Sequence, residues 1–113
     1  MIGKFLWLLN VSGRVFLVAD DNAIEREMLK QELASHSLCP AGTADGNAVL
    51  ELLRQGQSEG EPFLAALIDW TMPGVNPVEL AVKIRSEAGF AGIHLVALVP
   101  LGNRLENGVL ATT

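Results

Sequence analysis

The chain has 113 residues, half of them hydrophobic and 19% charged, which fits one folded domain and excludes a disordered segment. Its net charge of -5 argues against a nucleic-acid-binding surface as the main function. The single cysteine, Cys39, excludes an intrachain disulfide and a multi-thiolate zinc site, and fits a reducing, cytoplasmic setting.

Residues 1–13 hold the apolar run Phe5–Val11, far short of the roughly 20 residues a membrane-spanning helix needs. Lys4 before it and Val11-Ser12-Gly13 behind it give a likeness to a signal-peptide core. A second apolar run starts at Val15 and leads straight into aspartates, so 1–13 reads as an appended strand or linker and 14–113 as the domain.

Val15–Ala19 is continuously apolar and closes on Asp20-Asp21-Asn22, the pattern of a parallel strand buried on both faces. Asn22 is a good helix cap for Ala23 to Ser35, with Ile24, Met28, Leu29 and Leu33 as the inward stripe. Leu38–Thr43 reads as a second strand, placed at a sheet edge because Pro40 cannot donate to a ladder. Asp45-Gly46-Asn47 then opens a helix with Val49, Leu50, Leu52 and Leu53 inward, and Gln55–Pro62 reads as a polar loop. Phe63–Ile68 is a third buried run, ending on Asp69. After the loop Trp70–Asn76, Pro77 opens a helix to about Glu87, with Leu80, Ala81 and Ile84 inward. Ile93–Val99 is the fourth run, closed by Pro100, and Arg104–Ala111 has the pattern of a short amphipathic helix.

Strands alternating with helices predict an α/β fold, a flavodoxin-like doubly wound parallel sheet in the order 2-1-3-4. Gly108 to Thr113 ends without cap or polar tail and looks cut rather than finished. The domain then reads as C-terminally incomplete. The fourth strand would then be an open apolar edge, and Phe5–Val11 is expected to cover it, by exchange between two chains in a homodimer.

Ligands in such folds bind at the carboxyl ends of the strands. Asp20 and Asp21 end the first strand and Asp69 the third, so neighbouring strands would bring three carboxylates together. Each aspartate alone reads as an ordinary strand-end or cap residue; the matching ends make a shared acid pocket the better reading. Such a pocket suits Mg2+, which keeps waters and leaves room for a phosphoryl oxygen, and one carboxylate can serve as a nucleophile toward phosphorus.

The segments Val18-Ala-Asp-Asp-Asn22, Ile68-Asp-Trp-Thr-Met-Pro-Gly74 and Leu95-Val-Ala-Leu98 resemble the receiver domain of bacterial response regulators and hybrid histidine kinases, from about Arg14 onward. The resemblance implies a phosphoacceptor at Asp69, a direct Mg2+ ligand at Asp21 and an outer-shell one at Asp20. It also implies a ligand through the backbone carbonyl of Thr71, with Met72, Pro73 and Gly74 shaping the loop. The implied donor is a phosphohistidine on a partner histidine kinase or phosphotransfer protein, so His36 and His94 are not implicated. They read as a helix-end and a strand-end residue, and Cys39 as an edge-strand residue. The sequence departs from the family where a hydroxyl is expected at the end of the fourth strand, which reads as Val99. By comparison with the family, a fifth strand and last helix are expected to be missing, and with them its lysine and aromatic switch residue, and Asn76-Pro77 replaces Asp-Gly.

The function expected is a phosphoaccepting receiver in a two-component relay, a phosphoprotein rather than an enzyme. The alternative is a pseudo-receiver that serves docking or dimerisation. A phosphatase with an aspartyl nucleophile fits less well, since Thr71 stands where its second acid belongs. A nucleotide-binding enzyme would need a Gly-rich loop after the first strand, and none follows.

Overall fold

The structure is a computed structural model that describes residues 13–100 and 107–112. Its elements are β1 Val15–Ala19, α1 Ala23–Ser35, β2 Cys39–Thr43, α2 Val49–Ser58, β3 Ala65–Asp69, α3 Pro77–Ser86, β4 His94–Pro100 and β5 Asn107–Thr112. Short 3-10 turns at Gly46–Ala48 and Ala88–Phe90 precede α2 and β4.

The first four strands are parallel in the order β2-β1-β3-β4, as their buried apolar runs predict. Alternation divides their side chains between two cores. Leu17, Ala19, Ala66, Ile68 and Leu95 meet Val49 and Leu53 of α2 and Leu80 and Ile84 of α3. On the other face Phe16, Val18, Leu67, Val96 and Leu98 meet Leu33 of α1. Full burial of each Val, Leu, Ile or Phe side chain among them stabilises the fold by about 1.5–3 kcal/mol.

Three expectations are corrected. A fifth strand does form: Asn107–Thr112 pairs antiparallel with β4, Val99 opposite Gly108 and Pro100 opposite Asn107. Only residues 101–106 separate the two strands, enough for a hairpin and too few for the crossover that a parallel neighbour requires. The helix expected over Arg104–Ala111 gives way to this strand from Asn107 on. The β4 edge assigned to Phe5–Val11 is therefore occupied, and that segment lies outside the described residues.

Second, α1 buries Leu33 and half-buries Leu29, but leaves Ile24 68% and Met28 55% exposed. Leu29 and Leu33 are the stripe residues that pack against the core of Phe16 and Val18. Third, α2 runs through Ser58 rather than ending before Gln55; Gly56, inside it, packs where a Cβ would meet the Glu61 carbonyl oxygen at 2.9 Å and the Phe63 ring at 3.0 Å. Among the described residues no helix is long and apolar enough to cross a membrane.

Candidate metal centre

The site is built where β1 and β3 end side by side. Asp20 follows β1, and its N–H donates to the Thr43 carbonyl at 3.0 Å, carrying the ladder one residue past the strand. This pins a carboxylate in the interior, with Asp20 fully buried. Its Oδ1 accepts the Asn22 N–H at 3.0 Å, while its Oδ2 is buried with no hydrogen-bond partner among the described residues. Burial pushes the Asp20 carboxyl up from 3.8 to about 7; the Asn22 N–H opposes the rise and the negative charge of Asp69 adds to it.

Asp21 is exposed, and the next residue, Asn22, caps α1 by accepting the Glu25 N–H at 3.0 Å. Asp69 ends β3 with 7% of its surface exposed. Its Oδ1 accepts both the Thr71 N–H, at 2.9 Å, and the Thr71 hydroxyl, at 2.8 Å. Asp20, Asp21 and Asp69 each offer a carboxylate oxygen within 4.8 Å of the others.

Three carboxylates at that spacing repel one another, and a hard divalent cation with oxygen ligands is the chemical remedy. The partnerless Asp20 Oδ2 fits the same group, since a buried carboxylate oxygen without a donor is costly unless a cation faces it. The loop beyond Asp69 is shaped by Gly74, at φ +75°, and by Met72, buried against the opposing turn. Gly46 permits that close approach: a Cβ there would meet Val75 at 2.5 Å and Met72 at 3.1 Å.

The structure thus brings together all three aspartates singled out by sequence. It shifts one departure by a residue. Leu98, not Val99, is the β4 residue in register with Asp69, and alternation puts it on the same sheet face, where it is fully buried. Neither residue carries a hydroxyl. β5, Asn107–Thr112, contains no lysine or aromatic residue.

His36 is the α1 cap, its N–H bonded to Leu33 and Ala34 carbonyls, and His94 starts β4. Exposed Cys39 lies on β2 with its Sγ 3.7 Å from the Gly13 carbonyl. Sequence reasoning missed Arg26, whose Nη1 donates to the Asp20 carbonyl at 2.9 Å. Its position one turn into the capped helix was the available signal.

The architecture matches solved structures. The chemotaxis response regulator CheY4 of Vibrio cholerae is 19% identical with a TM-score of 0.67, over 76% of this chain and 68% of that one. The protein has the receiver fold. The phosphorylated cyanobacterial phytochrome response regulator RcpA gives 20% identity and a TM-score of 0.68, over 81% of this chain and 69% of that one. TrrA of Thermotoga maritima, a response regulator in complex with Mg2+ and BeF, gives 24% and 0.64, over 79% and 71%. No family model matches the chain, and a search of curated proteins finds no match. The receiver fold places the acidic cluster at the carboxyl ends of its first and third strands, beside the turn into α1.

Proposed function

We propose that the chain is a phosphoaccepting receiver of a two-component relay, taking a phosphoryl group from a partner's phosphohistidine onto Asp69. The observation that carries this reading is the convergence of Asp20, Asp21 and Asp69, with a partnerless buried oxygen on Asp20. The likeness to a response regulator in complex with Mg2+ and BeF supports the same reading.

Mg2+ would be held by Asp21, Asp69 and the Thr71 carbonyl, with Asp20 in its outer shell; when bound it would neutralise charge that gathers on the phosphoryl oxygens. The chain's own residues do the rest. The two donors of Thr71 fix Asp69 Oδ1, which leaves Oδ2 as the nucleophilic oxygen. Oδ2 forms the new bond to phosphorus as the phosphorus–nitrogen bond of the donor breaks and the imidazole leaves. The product is an acyl phosphate on the chain itself, so the protein acts as an acceptor and not as an enzyme with a turned-over substrate. A histidine kinase or phosphotransfer protein in the cytoplasm would be the partner.

The test is incubation with a small-molecule phosphodonor and Mg2+, followed by intact-mass measurement. The expected result is a single phosphoryl adduct, absent in Asp69→Ala and without Mg2+. An unmodified wild-type chain would leave the docking role of a pseudo-receiver instead.

A further inference from the structure

We infer that Arg26 is the positioning residue of this site, acting through the backbone of Asp20; the inference rests on the Mg2+ reading above. The guanidinium Nη1 donates to the Asp20 carbonyl oxygen at 2.9 Å from a half-buried setting. The stem reaches that carbonyl by lying across β2 at Gly42 beside the stem of Lys30: a Cβ there would stand 3.3 Å from Arg26 Cδ, 3.4 Å from its Cγ and 3.1 Å from Lys30 Cδ. A residue of the first two turns of α1 is thereby tied at once to the end of β1 and to β2.

Asp20 and its successor Asp21 hang from one short connection between β1 and α1. Three contacts fix the Asp20 end of it: the Asp20 N–H to Thr43, the Asn22 N–H to Asp20 Oδ1, and Arg26 to the Asp20 carbonyl. The first two fix the peptide nitrogen and one carboxylate oxygen. Among the described residues, the third is the contact made to the carbonyl of the peptide that leads into Asp21, so Arg26 holds the backbone from which the exposed carboxylate projects. Groups bonded directly to a cation's ligands typically govern affinity by 10–100-fold; Arg26 acts one bond further out, through the backbone shared by Asp20 and Asp21, so the lower end of that range is expected. Nothing in this role requires Arg26 to touch the ion or the phosphoryl group. Gly42 belongs to the same device, because any side chain there competes with the stem for space.

The experiment is a calorimetric Mg2+ titration of the full chain and of Arg26→Met, Arg26→Lys, Gly42→Val and the double variant Arg26→Met/Gly42→Val, at a temperature where circular dichroism shows each folded. Arg26→Met keeps the stem and removes the donor, and is expected to raise the Mg2+ Kd about tenfold. Arg26→Lys restores part of the loss. Gly42→Val weakens binding in the same direction, and the double variant is no weaker than Arg26→Met alone, because both act through one contact. A Kd for Arg26→Met within twofold of wild type overturns the inference while leaving the metal reading intact. Losses that simply add in the double variant also overturn it. Absence of any Mg2+ signal from the wild-type chain overturns the metal reading and this one together.

Discussion

Asp20 is an acid held where its charge is least welcome, and that fixes how the metal-free protein responds to pH. Its folded-state value of about 7 lies above the unfolded 3.8, so the folded state holds the proton more tightly. The stabilisation is complete below about pH 4 and is lost as pH rises toward 7. Urea unfolding without divalent cations should therefore show stability falling across that window, and Asp20→Asn should flatten the fall. A wild-type curve that rises over the window would contradict the burial of this carboxyl. Leu98 supplies a second test at the same scale. If the receiver reading holds, Leu98→Thr puts a hydroxyl in register with Asp69 and should speed acyl-phosphate formation, at a stability cost of about 2–3 kcal/mol for the lost packing. Val99→Thr, facing the other side of the sheet, should leave the rate unchanged.

At the scale of elements, α1 separates sequence pattern from actual burial. Leu33→Ala should destabilise by about 2–5 kcal/mol, because Leu33 sits in the core with Phe16 and Val18. Ile24→Ser and Met28→Ser should each stay within about 0.5 kcal/mol in chemical unfolding, although all three residues lie on the stripe that periodicity predicts. The helical period identifies a face but not how far the sheet extends beneath it. The four apolar runs were legible because a strand covered on both faces has little freedom in composition. The acid cluster was legible because strand ends of a parallel sheet bring sequence-distant aspartates together. β5 was not: Asn107 to Thr112 pairs because Val96 to Pro100 offers it a ladder, a tertiary cause with only a weak local signature. Thr71 was singled out for its carbonyl, whereas its hydroxyl and N–H hold Asp69; the short loop Asp69-Trp70-Thr71 could have suggested that turn.

For the whole molecule, cation binding should appear as stability. A ligand bound only by the folded state adds about 2.7 kcal/mol at a hundredfold excess over its Kd, so saturating Mg2+ should raise Tm. Asp21→Asn, which removes one carboxylate of the cluster, should abolish the rise while stabilising the metal-free chain. A Tm indifferent to Mg2+ in scanning calorimetry would sink the metal centre.

Assembly is constrained by the far side of the sheet. Cys39 donates its N–H inward to the Arg14 carbonyl, so alternation turns Pro40 and Gly42 outward along β2. At Pro40 there is no hydrogen to give, and the stems of Arg26 and Lys30 lie over Gly42. An incoming strand would find its ladder broken at the first outward rung. Endless head-to-tail stacking of sheets needs two receptive margins, one at each end of the strand order. Among the described residues β2 is therefore the poorer template and β5 the better one, and a pairing of β5 against β5 would use up its own docking edge and terminate at two.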